Sequence, residues 1–98
     1  MGNDPMALGM DSPLVSIMMP AYNAERYIGE AIASVREQTY AYWELIIVDD
    51  GSTDRTATIA AQAAAADPRV RLIQQPNGGE AVARNTALAH MRGELIAF

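Results

Sequence analysis

The 98-residue chain contains no cysteine and no lysine. Without cysteine there is no disulfide framework, no thiolate metal site and no thiol nucleophile, and a reducing, cytoplasmic setting is the expectation. The seven basic residues are all arginine and scattered, and the formal net charge is -5. A surface that coats nucleic acid is therefore not expected. No apolar run approaches the roughly 20 residues of a membrane span. No basic and then hydrophobic leader marks a signal peptide. No G-x-G-x-x-G follows a strand candidate, so the dinucleotide-binding fingerprint is absent. What is present is 50% hydrophobic and 19% charged, the balance of one modest globular domain.

Residues 1–12, "MGNDPMALGMDS", have Gly and Pro punctuation and no periodicity; they read as a disordered leader or an expression tag, leaving 13–98 as the domain. At the other end "GELIAF" stops at Phe98 inside an apolar run. That predicts the amino-terminal part of a longer protein.

Four short apolar runs are strand candidates: "LVSIMM" (14–19), "ELIIV" (44–48), "RVRLI" (69–73) and "ELIAF" (94–98). "LIIV" does not alternate, as in a strand buried on both faces of a parallel sheet. "VRLI" alternates with Arg71 and reads as an edge. Three helical patterns lie between them. Asn23 is the expected N-cap of the first, with Glu25 in its first turn and Tyr27, Ile28, Ala31, Ile32 and Val35 on one apolar face. Ser52 or Thr53 is expected to cap the alanine-rich second helix, and Pro68 disfavours helix at Asp67. The third is expected to follow "PNGG", to turn Val82, Asn85, Leu88 and Ala89 to one face, and to close with Gly93 at C′. The order βαβαβαβ predicts an α/β fold: an open, mostly parallel sheet with flanking helices and right-handed crossovers.

In such a sheet, ligands bind beyond the carboxyl ends of the strands, near the point where strand order reverses. Three segments converge there: "PAYNAE" (20–25), "DDGSTD" (49–54) and "QPNGG" (75–79). Asp49 and Asp50 sit at that mouth, where a carboxylate can accept from an imide N–H or a ribose hydroxyl, or hold a hard cation. Adjacent side chains on an extended chain diverge, so the two aspartates are expected to do different jobs. The plainer alternative is an Asx-turn and a helix cap. Tyr22 stacks on a flat heterocycle or packs under a loop. The "NGG" backbone either approaches a phosphate or simply turns the chain. Arg84 reaches an anionic ligand or is solvated or ion-paired. Asn85 suits a hydrogen bond to a loop, His90 a last-turn cation, and Trp43 and Tyr40 core or lid packing.

In combination, "P-x-Y-N", "Q-T-Y", "VDDGSTD", "NGG…ARN" and "GE-I-AF", in this order from about Leu14 to Phe98, resemble the start of a glycosyltransferase family 2 domain. The resemblance implies the Rossmann-like, nucleotide-binding half of a GT-A fold, and transfer of a sugar from a nucleotide diphosphate, most often UDP, to an acceptor hydroxyl. On matching positions, Pro20, Ala21 and Tyr22 would line the base pocket together with Asn23. Asp50 would accept from the base imide, and Asp49 would support the loop or the ribose. Gly78 and Gly79 would bring backbone near the ribose or diphosphate, with Arg84 as a further candidate. The family often has an acidic residue after Tyr-Asn, where this chain has Ala24 and then Glu25. The strand matching "GELIAF" leads in the family into an Asp-x-Asp motif that holds Mg²⁺ or Mn²⁺, and the catalytic carboxylate comes later still. Hence no catalytic residue, no metal ligand and no transfer activity are expected of these 98 residues, while the parent uses the metal. Self-association through an exposed sheet edge is a further expectation. Two rivals are a non-catalytic nucleotide-binding or structural half-domain, and a phosphoryl-transfer receiver. Receivers, however, need an acidic pair after strand one, where "PAYN" stands.

Overall fold

Strand and helix alternate strictly in the computed structural model, which describes residues 13–97. The order is β1 (Val15–Ala21), α1 (Ile28–Arg36), β2 (Trp43–Asp50), α2 (Thr56–Ala66), β3 (Val70–Gln75), α3 (Glu80–His90) and β4 (Glu94–Ala97). All strand pairs are parallel and lie in the order β3-β2-β1-β4. The chain therefore winds outward from β1 to β3 and then crosses back to place β4 on the other side of β1. The expected leader and Phe98 lie outside the described residues.

The non-alternating strand is internal and buried along its whole length. Leu45, Ile46, Ile47 and Val48 have no exposure at all, and each such side chain contributes about 1.5–3 kcal/mol by leaving water. The two-residue period of the strands divides the core. Ile17, Met19, Ala21, Leu45 and Ile47 pack with Ile28, Ile32 and Val35 of α1 and Ala60 of α2. Met18, Ile46 and Val48 pack on Ala83 and Ala87 of α3. β3 is an edge, as its alternation predicts.

Three expectations about the helices are corrected. α1 begins at Ile28 with Tyr27 at the cap position, and Asn23, at φ 48, precedes an intervening turn in which the Ala24 carbonyl accepts from Tyr27 and Ile28 N–H. α3 turns Ala83 and Ala87 inward and leaves Val82, Asn85, Leu88 and Ala89 exposed. Small alanines let that helix approach the sheet closely, which outweighs the larger side chains' gain from burial. Gly93 is not the residue that closes α3, which ends at His90 with extended backbone at Met91. A Cβ on Gly93 would lie 2.1 Å from the Leu14 carbonyl oxygen, which accepts from Glu94 N–H at 2.9 Å.

Two buried carboxylates fasten the amino-terminal end of the sheet. Glu44 accepts from the Ser16 hydroxyl at 2.6 Å, Arg92 N–H at 2.6 Å and the Arg71 guanidinium at 3.0 Å. Burial pushes its pKa up, but these donors outweigh it and hold the carboxyl below its ordinary value. Asp67 accepts from the Arg69 guanidinium at 2.9 Å and pairs with Arg36 at 3.3 Å. The Arg69 side chain holds its pKa down, at about 2 against an ordinary 3.8. The same guanidinium covers the buried Trp43 ring, 3.9 Å from its centroid.

A depressed folded-state pKa means that Asp67 contributes fully above its unfolded pKa and that the contribution is lost as pH falls through its folded one. The window here runs from about pH 4 down to about pH 2. With solvent screening at its partly exposed arginine partners, the contribution is roughly 1–2 kcal/mol. Asp67→Asn should therefore cost stability at neutral pH and progressively less through that window. Urea unfolding of both chains checks this, and a deficit that does not change with pH would show that the ion pairs contribute nothing.

Candidate functional site

The carboxyl ends of β1, β2 and β3 form one rim, and three connecting segments rise from it. β1 ends with Pro20 and Ala21, and Ala21 is in register with Asp49. β2 extends through both aspartates, beyond the end of the apolar run, because Asp49 and Asp50 pair with Gln74 and Gln75 of β3. Strand geometry then sends their side chains to opposite faces. Asp50 follows Ile46 and Val48 to the α3 side, and Asp49 follows Leu45 and Ile47 to the α2 side.

Asp50 is 4% exposed, and its carboxylate is already engaged. One oxygen accepts from Gln75 Nε2 and Gly78 N–H, both at 2.9 Å. The other accepts from Gly79 N–H at 2.9 Å and Asn77 Nδ2 at 3.3 Å. Asn77 Nδ2 also donates to the Asp50 carbonyl at 3.0 Å. The Gln75 side chain and the Gly78 amide hold the Asp50 pKa below its ordinary value. A carboxylate offers about four lone-pair sites, so this one is saturated by the 75–79 segment. Here Asp50 pins the glycine loop, and to accept from a base imide, its expected role, it would have to give up one of these donors. Gln75 and Asn77 are the residues that sequence reading missed in this role.

Gly51 makes that approach feasible. Its φ is +75, and an added Cβ would lie 2.6 Å from Asn77 N. Gly79 has φ +94 and leads directly into α3. Asp49, 2% exposed, accepts from Ser52 N–H at 3.2 Å. That bond spans three residues, one more than the Asx-turn weighed as the plain alternative, and it leaves the second Asp49 oxygen without a partner among the described residues.

The first and second rim segments interlock. Asn23 N–H donates to Ser52 Oγ, and Asn23 Oδ1 accepts from Thr53 N–H, each at 2.8 Å. Ala24 N–H donates to Thr56 Oγ1 at 2.8 Å. Glu25 N–H donates to Asp54 Oδ2 at 3.2 Å, while Glu25 Oε1 accepts from Arg55 N–H at 3.0 Å. Asp54 Oδ1 accepts from Thr56 N–H at 2.9 Å. Asp54 therefore satisfies the first turn of α2, correcting the expected cap at Ser52 or Thr53. Burial pushes the Asp54 pKa up, but the Thr56 hydroxyl and the amides outweigh it and lower it. Glu25 serves the start of α2 rather than that of its own helix. The Asp54 contact with Thr56 is local, but the contacts between the two segments do not follow from linear spacing, because every such pair is about 30 residues apart.

Tyr22 stands above these contacts with its side chain in solvent, 54% exposed, and so is not packed under a loop. Arg84 is exposed and lies 3.6 Å from Glu80 on its own helix, the ion-paired alternative. Among the described residues no three His, Asp or Glu side chains are grouped as metal ligands. Asp50 and Asp54 already accept donors at both carboxylate oxygens. Among the same residues no helix is long and apolar enough to cross a membrane.

The fold and rim define a class when set against known proteins. The TarS 1-349 structure from S. aureus in complex with UDP-GlcNAc superposes with a TM-score of 0.78 at 32% identity, over 86% of this chain and 25% of that one. A mannosyltransferase from Pyrobaculum calidifontis, in complex with GDP-Man and Mn²⁺, superposes with a TM-score of 0.73 at 34% identity, over 85% of this chain and 26% of that one. The architecture is that of the GT-A glycosyltransferases. A UDP-Glc:alpha-D-GlcNAc-diphosphoundecaprenol beta-1,3-glucosyltransferase from Escherichia coli is 48% identical over 90 residues, 91% of this chain and 35% of that protein. The family model for glycosyl transferase family 2 matches residues 16–98, and the chain belongs to that family. It spans between a quarter and about a third of the length of such relatives.

Proposed function

We propose that this chain forms the donor-nucleotide-binding part of a glycosyltransferase that moves a hexosyl group from a nucleotide diphosphate, UDP in the first place, to an acceptor hydroxyl in the cytoplasm. The observation that carries the reading is the convergence of an exposed aromatic ring, a half-engaged buried carboxylate and a glycine-rich backbone on one rim. Tyr22 offers a stacking face for the base, with Pro20, Ala21 and Asn23 supporting it. Asp49 has an acceptor oxygen left for the ribose or the base. Gly78 and Gly79 present side-chain-free backbone just before the amino terminus of α3, where an anion is favoured. Asp50 contributes by holding that backbone, and a base imide would have to displace one of its four donors. Arg84 is a secondary anion contact that must first leave Glu80. None of these residues is assigned as a ligand of the divalent cation or as the catalytic base, and weak donor binding without transfer is the expectation for them. The outer edge of β4, which has no strand partner among the described residues, is the edge for self-association.

Calorimetric titration of the chain with UDP, with and without Mn²⁺, tests the reading. Millimolar or tighter binding of UDP is expected from these residues, with transfer appearing only in a longer chain and requiring the metal. No binding at millimolar UDP would overturn it. A UDP-binding longer chain with no metal-dependent transfer would favour the non-catalytic half-domain. Tyr22→Ala should weaken UDP binding by about tenfold, the loss expected for one stacked base, without a measurable change in Tm. Unchanged affinity would remove Tyr22 from the site.

A further inference from the structure

We infer that Asn23 is a positioning residue that presents Tyr22 by locking the segment after β1 onto the segment after β2; its bearing on nucleotide binding rests on the function proposed above. Three observations carry this. Asn23 is the one non-glycine residue with positive φ among the described residues, at 48°. Asparagine tolerates this left-handed conformation better than most side chains. The residue is held there from both sides, with its N–H on Ser52 Oγ at 2.8 Å and its Oδ1 taking Thr53 N–H at 2.8 Å. The Thr53 hydroxyl also reaches Oδ1, at 3.4 Å. Finally, the adjoining Tyr22 projects into solvent with 54% exposure, so the backbone that carries it sets the point from which the ring reaches out.

The backbone N–H and Oδ1 of Asn23 are therefore occupied within the protein, and through them its contribution to a ligand passes by way of Tyr22. A left-handed residue immediately after the aromatic one reverses the chain's course, turning a strand end into a platform. The contacts to Ser52 and Thr53 keep that reversal from relaxing.

Two substitutions loosen this lock from different sides. Asn23→Gly keeps the left-handed backbone accessible and removes Oδ1, whereas Ser52→Ala leaves residue 23 intact and removes the acceptor of its N–H. In the free protein, backbone ¹⁵N relaxation of the Tyr22 amide should show a lowered order parameter in both variants. The Thr53 amide should exchange about fivefold faster in Asn23→Gly, as expected for loss of one hydrogen bond. Titration with UDP should show about fivefold weaker binding for each variant. In the Tyr22→Ala background neither substitution should weaken UDP further, because the group they position is gone.

Unchanged Tyr22 order in both variants would overturn the inference, and so would additive losses of affinity in the double variants. A lowered Tm in both variants with UDP affinity unchanged would reduce Asn23 to a structural residue and also overturn it. If the unaltered chain binds no UDP while both variants still loosen Tyr22, the lock stands and the nucleotide reading fails.

Discussion

Alanine at Asp50 is expected to release the glycine loop. Gly78 and Gly79 N–H would lose the carboxylate that accepts from both, and the Gln75 and Asn77 side chains would lose the same partner. Charge-assisted bonds are the stronger kind, and here several converge on one group. Amide exchange at Gly78 and Gly79 should accelerate by at least about tenfold, and UDP affinity should fall by a similar factor. The rest of the sheet, buried independently of this loop, should keep its protection. The lowered pKa of Asp50 gives a second reading of the same latch. The carboxylate is needed in its charged form, so the latch is complete above the ordinary carboxylate range and opens as pH falls through the depressed value. Asp50→Asn retains one acceptor oxygen and should fall between the wild type and alanine. Protection at Gly78 and Gly79 that survives in the alanine variant would mean the loop holds itself.

Gly51→Ala should have the larger effect on overall stability, for two reasons that add. A left-handed backbone disfavours any residue with a Cβ by roughly 1–2 kcal/mol, and Gly51 sits at φ +75. The added methyl would also meet Asn77 N at 2.6 Å, a contact with backbone that no rotamer change relieves. Overpacking of this kind costs about 1–3 kcal/mol. Together the loss is about 2–5 kcal/mol, a fall in Tm of at least about 8 °C for a domain of this size. Thermal unfolding checks it. A fall of under about 3 °C would show that the 75–79 loop moves aside at little cost, and Asp50 would then be holding a compliant segment.

These two neighbours illustrate what the linear order carries. The apolar run ahead of Asp49 has no alternation, and that alone marks a strand buried on both faces. The placement of "DDG" at its end then puts two carboxylates and a flexible hinge at the sheet's mouth. The alternation around Arg71 likewise marks an edge. Such features are local, because side-chain direction repeats every two residues in a strand and burial follows from that repeat. The alanine-rich third helix misleads in the same terms. Val82 and Leu88 are its most hydrophobic surface candidates, but the helix lies against the sheet through Ala83 and Ala87.

From the order of its residues alone, this protein's alternating architecture, its buried central strand and the rim where three loops meet are all determined. They depend on periodicity and turn chemistry, which act over a few residues. Which aspartate the glycine loop engages and what holds Asn23 in a left-handed turn were decided only by tertiary contact. Those partners lie some 25 to 30 residues apart, and a hydrogen bond depends on distance and angle in space, which no local pattern encodes.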